Sequence, residues 1–208
     1  RSIDKVRHDG HFYSSKPPLF PTLVAGVYAG VRWVTGWNLV DDTEAVSRVV
    51  LLLVNWLPWT IALVVLAGLL DRHARRNSTR VLVLCTASLG TLLLPFLVAL
   101  NNHTVAATAV VFVVAAVLRV TVEEDRCPRH FIFAGLFAGW AAANDLPALA
   151  LVAVAGWLLL RSDRRRTLMF FLPSALLVLT AFVVTNVIAT GGWKPFYAYY
   201  GTEKYLWT

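Results

Sequence analysis

Charge is what this 208-residue sequence has least of: Asp, Glu, Lys and Arg make up 15% of it, against 58% hydrophobic residues. A soluble domain carries about 25% charged and about 45–50% apolar residues, so the composition excludes a water-soluble globule and a disordered chain. Cysteine is nearly absent as well. Cys85 lies in an apolar run and Cys127 in a charged loop, which makes neither a disulfide framework nor a metal-ligand spacing. The chain opens on Arg1 in a polar stretch, with no basic segment leading into an apolar core, so no signal peptide is visible. It reads as a piece cut from a longer protein. Inverted repeats and low-complexity tracts are also missing.

What is present is a series of apolar runs parted by charged loops, with a mean hydropathy of +0.64. The expected fold is all-α, a polytopic transmembrane bundle of about six spans at 45–70, 81–100, 104–120, 131–143, 147–160 and 167–190. Two of these are short. At about 1.5 Å per residue, 131–143 reaches only about 20 Å against a hydrocarbon core of about 30 Å, so it must begin deep in the protein or borrow flanking residues.

The net charge of +7 could suggest nucleic-acid binding, but the basic residues come in short clusters rather than on one face. Eleven of the 19 fall in three loops on one side: Arg72, Arg75, Arg76 and Arg80; Arg119, Arg126 and Arg129; Arg161, Arg164, Arg165 and Arg166. Set against five acids, they give that side +6, whereas the other side has eight bases against seven acids, or +1. The positive-inside rule makes the first side cytoplasmic and removes nucleic acid as a partner. Residues 1–44 then form an outer loop, 45–190 the bundle and 191–208 the start of a further outer loop. Counting Leu19–Trp37 as a span would invert every later loop. With Pro17, Pro18 and Pro21 at its start, Arg32 inside and Trp33 and Trp37 near its end, it suits an interfacial or re-entrant helix.

Within the bundle, Gly135 and Gly139 form a Gly-x-x-x-Gly pair that admits a close helix neighbour, either inside the chain or in a second copy. Pro58, Pro95 and Pro173 are expected to kink or end their runs.

Four polar places stand out, all on the outer side. The stretch from Arg7 to Leu19 gathers Asp9, His11, Tyr13, Ser15 and Lys16 before the interfacial helix. Lys16, stiffened by Pro17-Pro18, would sit at headgroup level, where its ammonium either pairs with a phosphate oxygen or snorkels to water. Asn101-Asn102-His103-Thr104 joins two long spans, with His103 either a hydrogen-bonded turn residue or a ligand. Asn102-His103-Thr104 and Asn77-Ser78-Thr79 both fit the glycosylation pattern, but the first lies too close to the bilayer and the second on the cytoplasmic side. Asn144-Asp145-Leu146-Pro147 joins the two short helices. Asp145 there is either a recessed carboxylate in need of a partner or part of an N-cap for the helix starting at Pro147. Last comes the tail from Gly191 with Trp193, Tyr197, Tyr199, Tyr200, Glu203 and Lys204, an aromatic belt or a surface for stacking sugars.

The run Gly10-His11-Phe12-Tyr13-Ser14-Ser15-Lys16-Pro17-Pro18-Leu19 resembles the end of the first outer loop in polyprenyl-phosphate-dependent glycosyltransferases of the GT-C fold. The bacterial relatives of protein O-mannosyltransferases and of the aminoarabinose transferase of lipid A are of this kind. The specific match covers about ten residues, and the layout covers the whole chain. The resemblance implies sugar transfer from a polyprenyl-phosphate donor to a lipid, glycan or protein acceptor on the outer face of the bacterial inner membrane. It further implies that Lys16 contacts the donor phosphate, with Tyr13 at the aromatic position before it; His11 is a further candidate for binding that phosphate. Asp9, Ser15, Asn102, His103, Asn144, Asp145 and Glu203 would line the cavity. A divalent metal is a candidate cofactor, although Ser15 stands where relatives carry an acid, and no metal ligand set is visible. Relatives have a Lys-Gly-Pro turn where Asn144-Asp145-Leu146-Pro147 stands, and their catalytic acid lies upstream of this chain, which alone is expected to be inactive. The rival reading from another class is a membrane transporter or a lipid-binding subunit. Its marks would be paired broken helices or charges buried within spans.

Overall fold

The computed structural model describes residues 16–194 throughout and the backbone of 5–8 and 11–14. Lys5–His8 (β1) and His11–Ser14 (β2) pair antiparallel, with Val6 opposite Tyr13 and His8 opposite His11. The sequence pattern predicts a loop here. Between the two strands the sequence reads Asp9-Gly10, a pair common in hairpin sequences.

The other regular elements among the described residues are helices. Leu19–Thr35 (α1) starts directly after the two prolines and ends at Gly36, whose φ of +75° only glycine adopts without cost. Six further helices run back and forth: Thr43–His73 (α2), Asn77–Phe96 (α3, interrupted at Gly90), Asn102–Thr121 (α4), Pro128–Asn144 (α5), Leu146–Ser162 (α6) and Arg164–Thr190 (α7). Each predicted run from 45 to 190 therefore holds a helix. Four of the helices, α2, α3, α4 and α7, are long and apolar enough to cross a membrane. Their outward faces are apolar: Val64 is 66% exposed, Leu92 75% and Leu177 67%. Such surface is normal toward lipid and a liability in water, so the layout is that of an integral membrane protein. The short helices α5 and α6 extend the predicted runs and meet at Asp145, at about 25 Å each for 17 residues.

Neither Pro58 nor Pro173 ends its helix. Each follows a π-helical turn, Leu52–Trp56 and Thr167–Phe171 respectively. Proline offers no N–H to the preceding turn and its ring pushes on the carbonyl four residues back, so a locally wider turn lets the helix continue.

α5 is the centre of the bundle, packed between α4, α6 and α7. Phe131, Ala134, Ala138 and Ala141 are all fully buried on it. Gly135 and Gly139 face α7: a Cβ on Gly135 would run into the backbone oxygen of Phe171, and one on Gly139 would lie 2.9 Å from that of Ala175. The glycine pair thus serves packing inside the chain. On α4 the buried positions Val105, Ala109, Val113, Ala116 and Val120 recur every three or four residues, the stripe that faces α5.

The bundle has two unlike ends. One carries the loops after α2, α4 and α6 and holds eleven of the arginines. There Glu123 accepts from Arg72 Nε at 2.9 Å and from Arg119 Nη1 at 2.5 Å, and lies 3.2 Å from His73 Nε2. Asp125 lies 2.9 Å from His130 Nε2. At the other end the α3–α4 turn is clamped: Asn55 Nδ2 donates to the carbonyls of Leu97 and Ala99 at 3.1 and 2.9 Å.

Burial raises the Glu123 carboxyl, but the hydrogen bond from Arg72 and the charges of Arg119 and Arg72 outweigh it, so it titrates below the ordinary glutamate value. Asp125 is lowered too, first by its hydrogen bond with His130. A depressed carboxylate contributes stability that is complete above the unfolded value, about 4.3 for Glu, and fades as pH falls through the folded one. Thermal unfolding in detergent should show wild type above Glu123→Gln at pH 7, with the gap narrowing progressively as pH falls below the ordinary glutamate value of about 4.3. A gap unchanged at pH 3 would mean that ionisation of Glu123 contributes nothing. Gly135→Ala should destabilise by roughly 1–3 kcal/mol through overpacking, while Gly30→Ala, whose Cβ meets nothing within 4 Å, should not. Equal melting temperatures for the two variants would dismiss the close contact.

Candidate functional site

Two of the four polar places predicted from sequence are joined in space. Asn101 caps α4: its Oδ1 accepts from the Thr104 amide at 2.8 Å, and its Nδ2 donates back to Phe96 O and Ala99 O. That fixes the first turn of α4, from which Asn102 and His103 project. Asn102 Nδ2 donates to Asn144 O at 3.4 Å, and His103 Nδ1 lies 3.0 Å from Asp145 Oδ2. The Asp145 carboxylate makes no capping bond to the following helix, so the N-cap account is set aside. Its partner is His103, 42 residues earlier in the chain. The pair is open to solvent, with the His103 side chain 67% and the Asp145 side chain 35% exposed. When Asp145 accepts Nδ1–H, the Nε2 lone pair of His103 is left to accept a proton or a hydrogen bond.

Beneath the pair lie buried amides. Asn144 is 6% exposed and Asn186 fully buried. Each donates Nδ2 to the carbonyl one turn back on its own helix, Trp140 at 2.9 Å and Phe182 at 2.7 Å. Their Oδ1 atoms, and that of Asn55, are buried without a hydrogen-bonding partner among the described residues. An unpaired buried acceptor costs about 1–3 kcal/mol. The sequence reading singled out neither Asn55 nor Asn186. The available signal was a lone amide inside an apolar run, as in Val184-Thr185-Asn186-Val187.

Lys16 stands at the same end, exposed, with Pro17 buried behind it. Three residues on, Leu19 packs against Ala143 of α5 and Phe182 of α7, and Phe20 sets its ring edge against Trp140 at 6.3 Å. Under α1 lies an apolar cavity of about 250 Å³, bounded by Phe20, Val24 and Val27, by Pro58 of α2 and by Phe112 and Phe137 deeper in the bundle. Thr108 is its one hydroxyl, and that is bonded to Thr104 O at 2.8 Å.

No protein-family model matches the chain, and no curated protein or solved structure shows significant similarity to it. The site therefore stands on its own geometry. His11 and Tyr13 lie on β2, opposite His8 and Val6. Asp9, Ser15 and Glu203 fall outside the described residues. Among the described residues no group of three or more His, Cys, Asp or Glu gathers to hold a metal. Trp193 and Lys194, the described start of the aromatic tail, touch each other, with Nζ 5.2 Å from the ring centroid.

Asn186→Val, which removes the unpaired acceptor with a smaller gain in bulk than leucine, should raise stability in detergent by roughly 1–3 kcal/mol. A fall in melting temperature would show that Oδ1 has a partner, such as a bound water, that the helix packing alone does not supply.

Proposed function

We propose that this chain is part of an integral-membrane glycosyltransferase that moves a sugar from a polyprenyl-phosphate donor to an acceptor at the polar-turn end of the bundle. The observation that carries this reading is the apolar cavity beginning at Phe20, four residues after Lys16, with the His103–Asp145 pair at the same end. An isoprenoid chain needs an apolar slot. Its phosphate needs a cation at the mouth, and a departing phosphate gains most from a contact held in place beforehand. Lys16 is that cation, and Pro17-Pro18 fix how α1 presents it. The resemblance of Gly10–Leu19 to the GT-C enzymes supplies the reaction class.

By the positive-inside rule the arginine end is cytoplasmic and the polar-turn end faces outward, which takes all six passes from α2 to α7 as crossings and leaves α1 lying along the outer interface. The packing of α1 suits this: its cavity and core contacts are with the polar-turn half of the bundle. The acceptor hydroxyl would lose its proton to the carboxylate expected upstream of this chain, while His103, held by Asp145, would orient or relay at the acceptor side. Buried polar side chains among the described residues are all Asn or Thr, none of them charged, which favours this reading over an ion-coupled transporter.

In the longer protein, Lys16→Ala should lower sugar transfer from a labelled polyprenyl-phosphate donor by on the order of 100-fold, with Lys16→Arg retaining part of the rate. Undiminished transfer by Lys16→Ala would end the assignment.

A further inference from the structure

A second cavity, which shares only Pro58, Phe112 and Phe137 with the one under α1, opens at the arginine end. It is a groove of about 730 Å³ between α2, α4 and α5. Its walls are apolar along nearly the whole length, from Leu57 in the middle of α2, past Ile61 and Val64, with Phe133 and Phe137 of α5 opposite. Polar groups appear only at one end, where Arg72, Arg119 and His130 form the mouth. Gly68 leaves the floor open just below them: a Cβ there would lie 3.5 Å from Arg72 Nη1, so the guanidinium lies back over the groove. From Leu57 to Arg72 is 15 residues of helix, about 22 Å. Half of a bilayer with its headgroups is about 20–22 Å.

We propose that this groove seats one phospholipid of the adjacent leaflet, selected for an anionic headgroup. One acyl chain lies between α2 and α5, and the phosphate, its charge not neutralised by a cationic headgroup, rests on Arg72 and Arg119. Glu123 does not cancel these cations. It takes Nε of one and Nη1 of the other, which holds two guanidiniums side by side with a net charge of +1 and leaves most of their ten N–H donors for a ligand. His130 is turned to Asp125 and closes the third side. An apolar slot of one leaflet's depth with cations only at headgroup level fits a lipid of the bilayer better than a soluble phosphate, whose binding would need no slot.

Native mass spectrometry of the chain in detergent, titrated with phosphatidylglycerol and with phosphatidylcholine of the same acyl chains, tests this. The expected result is retained phosphatidylglycerol with at least about fivefold preference, the effect of one basic charge near an anionic headgroup. Gly68→Leu, which fills the floor without removing a charge, should weaken both lipids. The triple variant Arg72→Gln, Arg119→Gln, Glu123→Gln, which strands no buried charge, should reduce the preference to none. Equal retention of the two lipids by wild type would overturn the proposal, as would a preference that survives the triple variant. Glycerol 3-phosphate binding as tightly as the whole lipid would overturn the acyl slot. None of these measurements depends on sugar transfer, so the two assignments stand or fall separately.

Discussion

The contact of α5 with α7 at Gly135 and Gly139 sets where almost everything else lies. In lipid there is no gain from hiding one apolar helix against another, so helices associate through close van der Waals contact, and small residues permit it. The pair lets α7 come close enough that Phe171 and Ala175 backbone oxygens occupy the space of a side chain. Ala134, Ala138 and Ala141 give the rest of α5 an equally thin surface. A helix of only 17 residues is thereby held in the middle of the bundle, and the position of its C-terminal end is fixed.

That end organises the polar-turn half. With α5 in place, Ala143 offers the surface on which Leu19 docks, Asn144 meets Asn102 and Asp145 meets His103. The amide oxygens of Asn55, Asn144 and Asn186, buried without a hydrogen-bonding partner among the described residues, belong to helices that converge here. Natural structures retain such unpaired groups chiefly where they serve something other than stability. The opposite end is built on other terms. There Glu123 is bonded to Arg72 and Arg119, and Asp125 to His130, contacts that hold both carboxyls below their ordinary values despite burial. One end therefore holds polar groups with spare hydrogen-bonding capacity, the other a cationic rim, and apolar cavities reach inward from both to Pro58, Phe112 and Phe137, which line each of them.

Helix positions from 45 to 190 were legible because a bilayer allows few solutions: a long apolar run must satisfy its backbone internally, and loop charge shows where it stops. Proline was legible only in part. Pro17 and Pro18 mark the start of α1 as expected, but Pro58 and Pro173 lie within helices that continue through π-helical turns, a remedy that composition does not reveal. The hairpin at 5–14 was passed over although its Asp9-Gly10 was in view, because four-residue strands carry little periodic signal. In the site, His103 and Asp145 were recognised singly; their pairing across 42 residues was not.

The sequence by itself determined that this is a membrane-type helical chain, where its helices lie, which end carries the arginines and which residues interrupt the apolar runs with polarity. Those are local properties, set by hydropathy and charge over windows of some twenty residues. Only the tertiary structure decided that Gly135 and Gly139 serve α7 rather than a second copy, that Asn186 is buried, that Glu123 gathers Arg72 and Arg119, and that His103 and Asp145 share a hydrogen bond. Each of these depends on which helix face meets which neighbour. An apolar helix in lipid shows no strong amphipathic stripe to announce that choice, so packing of small residues settles it instead.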